Sequence, residues 1–225
     1  MLTRYGLNFP DMPDEMGMEM FPKGSSREKV VDNGKVYFMK FELRGHIEEV
    51  MPLSDDQFDL IASYFVPQRF PKGKYVFRVG DKIPYTYFVV SGLLKLVHND
   101  ASGKEHILSF AMEDWWETDY YAFYQKGRAT MSLKCLEDTQ VLRISLEDYH
   151  SLCALFPRIE HFFLQKATSG HIASQQRILS LLGSSAEERY AMLLKRYPSL
   201  IQRVSKSQLA AYLGVSRETL SRLYS

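Results

Sequence analysis

Four glycines at positions 73, 80, 92 and 103 divide the middle of the chain into short stretches rich in β-branched and aromatic residues. Tyr75–Arg78, Tyr85–Val90, Leu93–Val97 and His106–Phe110 each have room for a single short strand. Asp100-Ala-Ser-Gly103 is turn chemistry: Asp bonds its own backbone two residues on, and Gly tolerates a positive φ. The pattern resumes after an aromatic segment, at Thr130–Cys135 and Gln140–Ile144. Many short strands at close turn spacing predict an antiparallel barrel or jelly roll, a closed arrangement that leaves few exposed edges.

Helical signals flank this region. Ser54 and Gln57 form a capping box, Leu53 and Phe58 have staple spacing across it, and Phe58, Ile61 and Phe65 follow at helical spacing. Ser145 and Asp148 open another helix carrying Tyr149, Leu152 and Phe156, which Pro157 ends or restarts. A long helix is then predicted from about Arg158 to Leu182, close to 40 Å at 1.5 Å per residue. Its apolar and small positions, Ile159, Phe163, Ala167, Gly170, Ser174, Ile178 and Leu181, form a stripe longer than one domain needs. The simplest second partner is the same helix of another copy, giving a homodimer. Ser184 and Ser185 with Glu187 and Glu188 start a further helix, Ala186–Tyr197, closed by Pro198. Residues 1–37 have no sustained period, and 1–46 are read as an N-terminal extension.

Composition excludes several classes. No run of eighteen apolar residues exists, so no membrane partner is expected, and the N-terminus has no signal-peptide core. Cys135 and Cys153 belong to no Cys-x-x-Cys pair, which argues against a zinc ribbon, an iron–sulfur centre or a secreted disulfide scaffold. The expected location is cytoplasmic. Net charge is only +1, yet from Ser169 onward eight Lys and Arg residues face three acids. A basic end on a mildly acidic body suits a polyanion partner.

The last twenty-two residues are the most specific: Val204-Ser-Lys-Ser-Gln-Leu-Ala-Ala-Tyr-Leu-Gly-Val-Ser-Arg-Glu-Thr-Leu-Ser-Arg-Leu-Tyr-Ser225. A helix over about Lys206–Leu213 buries Leu209, Ala210 and Leu213. Gly214 takes a tight turn, Val215 plugs the angle, and Ser216 caps a second helix with Leu220 and Leu223 inward. Arg217, Glu218, Ser221 and Arg222 are left outward. Arg can bond guanine O6 and N7, and Glu can accept from cytosine N4, so the expected partner is double-stranded DNA in the major groove.

From about Ile47 onward the chain resembles the cyclic-AMP-receptor/fumarate-nitrate-regulator (Crp–Fnr) superfamily, in the short form common in Bacteroidetes-type bacteria. The resemblance rests on Arg69-Phe-Pro-Lys-Gly, Tyr87-Phe-Val-Val-Ser-Gly-Leu, Gly103-Lys-Glu-His, Ser185-Ala-Glu-Glu-Arg-Tyr and Leu209-Ala-Ala-Tyr-Leu-Gly-Val-Ser-Arg-Glu-Thr-Leu-Ser-Arg. It implies an α+β fold: a cyclic-nucleotide-binding-like β-roll (double-stranded β-helix) sensor over 47–156, a dimerisation helix over 157–183 and a helix-turn-helix domain over 184–225. It further implies transcription regulation, with RNA polymerase as a protein partner. Ser216, Arg217, Glu218, Thr219, Ser221 and Arg222, with Lys206 nearby, would make the DNA contacts.

Two departures stand out. The family's β-hairpin wing has no counterpart before Ser225, which would shift affinity onto dimerisation and flanking basic residues such as Lys206 and Arg203. The effector region also differs. A cyclic nucleotide needs an Arg for its phosphate, a carboxylate for its ribose hydroxyl and free backbone N–H groups at a short helix. Here Glu117, Arg128 and Thr130 imitate part of that set, but the glycine before the carboxylate is absent and Trp115, Trp116 and Phe163 crowd the region. These aromatics are read as core or, alternatively, as the lining of a pocket for another effector. The reading argues against cyclic AMP, and no cofactor is expected.

Catalysis finds no support. A metal-dependent cupin needs a closely spaced His-x-His with a nearby Glu, whereas His98 and His106 are eight apart, and Glu105 and His106 point to opposite faces of a strand. No nucleophile elbow, phosphate loop or dinucleotide fingerprint is present. A remaining alternative keeps the fold but gives it protein–protein signalling in place of DNA. The outward Arg217, Glu218 and Arg222 argue against that.

Overall fold

The computed structural model describes residues 33–223. Helices α1 (Asn33–Glu48) and α2 (Asp55–Ser63) precede eight strands: β1 (Val66–Phe70), β2 (Tyr75–Phe77), β3 (Tyr85–Ser91), β4 (Leu94–Asn99), β5 (Glu105–Ala111), β6 (Trp116–Glu117), β7 (Ser132–Cys135) and β8 (Thr139–Ser145). A short helix, α3 (Tyr120–Tyr124), interrupts them between β6 and β7. After β8 come α4 (Leu146–Leu155), α5 (Pro157–Gly183), α6 (Ala186–Arg196), α7 (Pro198–Arg203), α8 (Lys206–Leu213) and α9 (Arg217–Leu223).

The strands form two four-stranded antiparallel sheets, in the orders β1-β8-β3-β6 and β2-β7-β4-β5. Side chains between them, among them Phe77, Val89, Leu94, Leu96, Leu133 and Val141, fill the roll. Gly92 sits between β3 and β4 at φ 102°, where a Cβ would lie 2.6 Å from Thr139 Oγ1 and 2.7 Å from the Asp138 carbonyl oxygen. Only glycine lets the β3–β4 turn pass that close to the start of β8.

Both sheets are also covered on their outer faces. Over the first sheet, α1, α2, α4 and the start of α5 cover Phe88, Val90, Leu142 and Ile144. Over the second, the C-terminal helices lay Leu193, Leu200, Leu209, Leu213 and Leu220 against Leu93, Val97, Ile107 and Phe110.

Local capping fixes several helix starts where the sequence placed them. Ser54 with Gln57 and Ser185 with Glu188 form complete capping boxes, and the Ser145 hydroxyl accepts from Asp148 N–H. The extension read over 1–46 needs correction at its end. Residues 33–48 are helix, and Met39, Leu43 and Ile47, four apart on one face, are fully buried in the core. Each such side chain contributes about 1.5–3 kcal/mol by leaving water. The rest of the extension lies outside the described residues. The α5 stripe likewise divides: Ile159 and Phe163 are buried against the chain's own roll, whereas Ile178 and Leu181 are exposed.

Candidate nucleic-acid interface

The sequence from Ser205 to Leu223 builds two helices at a fixed angle. Ser205 and Gln208 close a capping box at the start of α8. Gly214 ends it in the left-handed region, φ 69° and ψ 32°, and Val215 N–H donates to the Ala210 carbonyl at 3.0 Å. A β-carbon at that φ costs roughly 1–2 kcal/mol, which is why the turn takes glycine. The Ser216 hydroxyl then accepts from Thr219 N–H at 3.1 Å and caps α9.

Leu220 is fully buried, while Arg217, Glu218, Ser221 and Arg222 are exposed and Thr219 is half-buried. The Leu223 side chain lies outside the described set. Glu218 is held below the ordinary carboxylate range first by its own backbone N–H, then by the Ser216 hydroxyl, with Arg217 and Arg222 adding to it. At neutral pH the outward face therefore carries two guanidinium groups around one carboxylate. Such a set offers bidentate donors and an acceptor of the kind that base edges match. Lys206 stands exposed at the first position of α8.

Three arginines outside this face fix how the head is held, and spacing alone gave no signal for two of them. Arg203 Nε and Nη2 donate to Glu137 at 3.0 and 2.7 Å, and Nη1 and Nη2 donate to Glu113 at 2.7 and 2.9 Å. Both glutamates lie on the roll. Arg203, read above as a flanking basic residue, makes a fourfold clamp onto the roll. Arg177 of α5 donates to the Ile107 carbonyl of β5 at 2.9 Å and to the Tyr212 carbonyl of α8 at 2.8 Å, stacking 3.7 Å over the Tyr212 ring. Long helix, roll and head thus meet at one side chain. Arg189 donates to the Leu213 carbonyl at 3.0 Å, next to the tight turn.

The residues named for an effector pocket do not converge. Trp116 and Phe163 do meet, with ring centroids 5.6 Å apart, but in the packed layer under the helices. Trp115 faces the other way and touches Tyr197 of the head at 5.3 Å. Glu117 is buried, accepting from Ser109 Oγ at 2.5 Å and Thr118 N–H at 3.0 Å. Burial pushes its carboxyl up to about 7. Arg128 is exposed and donates to the Gly80 carbonyl at 2.8 Å. Thr130 donates twice to Asp119, a fully buried carboxylate that caps α3 and that sequence reasoning did not single out. Among the described residues no group of three His, Cys, Asp or Glu could hold a metal ion, and no helix is long and apolar enough to cross a membrane.

Residues 67–155 match the cyclic nucleotide-binding domain family. The chain is 30% identical over 176 residues to the cyclic AMP receptor protein of Thermus thermophilus, covering 76% of this chain and 81% of that one. It is 27% identical over 164 residues to the transcriptional activator protein Anr of Pseudomonas protegens, covering 68% and 66%. FixK2 of Bradyrhizobium japonicum, 16% identical, shares the fold at a TM-score of 0.63, over 71% of this chain and 82% of that one. With the first of these relatives 30% identical and matched over most of its length, the chain belongs to the Crp/Fnr family of transcription regulators.

Proposed function

We propose that this DNA-binding regulator works as a homodimer, reads a two-fold symmetric site through Arg217, Glu218 and Arg222, and takes no cyclic AMP in its roll. The observation that carries the base-reading part is the exposure of all three charged side chains on a helix whose Leu220 is fully buried. For dimerisation the support is α5: beyond Phe163 it leaves Leu164, Ile172, Ile178, Leu179 and Leu182 exposed, with Leu182 at 81%. Nothing lies within 4 Å of a Cβ placed on Gly170, so another helix has room to approach there.

Asp119 supports the reading of the roll. Its carboxylate accepts from Ala122 N–H at 3.1 Å, Thr130 N–H at 2.7 Å, Thr130 Oγ1 at 2.9 Å and Met131 N–H at 3.2 Å. Donors of this kind, at a short helix and the strand beside it, are what a cyclic phosphate would require. The chain's own anion already uses them, and Arg128 is turned to a backbone carbonyl. In the dimer, a change in the roll reaches the head through Arg177 and the Arg203 clamp, altering the spacing of the two α9 helices against the groove repeat of about 34 Å.

The test is selection of bound duplexes from a random pool by the purified chain without ligand. A recovered two-fold symmetric motif is expected. Arg217→Ala should then weaken binding to that motif by about 1–3 kcal/mol and relax preference at one base position. A uniform loss across all sequences would contradict base reading by this residue. Isothermal titration with cyclic AMP should give no heat of binding.

A further inference from the structure

One stretch of the roll holds the head at several points. Arg177 ties the Ile107 carbonyl to α8, and the Phe110 ring lies 5.0 Å from that of Tyr212. Glu113 accepts two of the four Arg203 bonds, and Trp115 meets Tyr197. All four points fall between residues 107 and 115, on β5 and on the turn that leads from it to β6. A side-chain bond closes that stretch on itself, Ser109 Oγ donating to Glu117 Oε2 at 2.5 Å. We propose that the Glu117–Ser109 pair is a proton-operated clasp: with the carboxyl neutral it holds the stretch shut and the head seated, and ionisation loosens both. The proposal rests on the reading that the roll governs the head, and it names the proton as the signal.

Three observations lead there. The first is topology. β5 and β6 are edge strands of different sheets, so the clasp spans from one sheet to the other. An edge strand has ladder partners on one side only. β5 is therefore held by the clasp on its inner face and by the head on its outer face, where Ile107 and Phe110 pack.

The second is chemistry. Glu117 is 8% exposed, and its remaining bond is from Thr118 N–H at 3.0 Å. A neutral carboxyl satisfies both partners, and it can donate to the Ser109 oxygen as well as accept from it. An ionised one is a buried charge with no cation, since none of the described ion pairs includes it. Burial accordingly pushes it up to about 7, and the Asp119 charge adds to this. The other ionisable groups around it are committed elsewhere. Tyr87, opposite it on β3, is pushed up to about 12 by burial, and Arg143 of β8 lies 4.2 Å over the Tyr85 ring. Burial also raises Tyr120 of α3, and Asp119 accepts from Ala122, Thr130 and Met131. On β5 itself, Glu105 and His106 bond Lys95 and Asp100 at the far end of the hairpin.

The third is the direction of the coupling. Lifting the head frees β5 and admits water to the carboxyl, which returns toward its ordinary 4.5. The seated state thus holds the proton more tightly than the lifted one. Seating is strongest in acid, weakens as pH rises, and levels off above about 7, where both states are ionised.

Amide exchange over α8 of the full chain should be followed from about pH 5 to 8, as protection relative to the unfolded chain at each pH. Protection is expected to fall with rising pH, by at most about tenfold per unit for one proton, and then to level off. Protection in β8 should stay unchanged. In E117Q the amide can donate to Ser109 and accept from Thr118 N–H as the neutral acid does, so protection should stay high throughout. S109A removes a bond that favours the ionised form, and should carry the levelling point to higher pH. Affinity for the selected duplex should follow the protection of α8, because a loosened head has more to order on binding. A level wild-type profile, the wild-type slope retained in E117Q, or a levelling point unmoved or lowered in S109A overturns the clasp and leaves base reading by α9 standing. Affinity indifferent to pH where protection changes overturns the proton as the signal. A chain that binds no duplex at any pH overturns the reading of the head, and the exchange profiles still decide the clasp.

Discussion

Two buried titratable side chains oppose each other in their effect on stability. Glu117 is pushed up to about 7 by burial, the Ser109 hydroxyl and Thr118 N–H offsetting only part of that. His46 is pushed down to about 4, by burial first and then by the Lys166 charge; Trp116 Nε1–H donates to its Nε2 at 3.3 Å, which requires a neutral ring. Raised acids keep their proton in the fold, so the Glu117 contribution is full below 4.5 and declines as pH rises toward about 7. For the lowered base the sign reverses: the unfolded ring takes up a proton below 6.5, so stability rises from about 4 to 6.5. Between 4.5 and 6.5 the two slopes cancel. Glu117→Gln should therefore show, relative to wild type, stability rising with pH by about 1.4 kcal/mol per unit in that window. Urea unfolding at half-unit pH steps measures it; parallel wild-type and variant curves would show that Glu117 does not hold its proton there.

Among the elements, the Arg203 clamp carries the largest single consequence. Arg203→Ala leaves Glu113 and Glu137 without their cation in the seam between head and roll. Both carboxylates are partly exposed, so solvent screening limits the cost to about 1–2 kcal/mol. Amide exchange should quicken over α7 and the first turn of α8 before it changes in β3 or β8; uniform loss of protection would mean the head has no docking equilibrium of its own. That clamp was not legible in the sequence, because its partners lie 66 and 90 residues away. What was legible is local: the boxes at Ser54 and Ser185, the cap at Ser145, the turn at Gly214, and the outward set on α9. Strand β6, with two residues, and β1, with Pro67 in it, were missed because their identity comes from pairing partners rather than from their own pattern. The helix α1 did carry a signal, Met39, Leu43 and Ile47 at four-residue spacing, hidden behind an aperiodic segment. At the effector region, composition supplied the right residues but not their directions: neighbours Trp115 and Trp116 point into different layers.

At the scale of the molecule, α5 leaves apolar side chains facing solvent over most of its 27 residues. Ile172 and Leu179 lie seven apart on one face and are 51% and 60% exposed in a single copy. Substituting both with Glu should shift the sedimenting species to the 26.1 kDa of one chain while leaving the thermal transition of the roll in place. Retention of a two-chain species would mean that another face joins the copies. The apolar seam between roll and head also bears on synthesis. Leu93, Val97, Ile107 and Phe110 leave the ribosome about a hundred residues before Leu209 and Leu213, which cover them. At about 5–20 residues per second that interval is roughly 5–20 s, ample for the roll to fold while its outer face stays bare. Each nascent chain thus presents a sticky β-surface to its neighbours on the same message until its own C-terminal helices arrive to cover it.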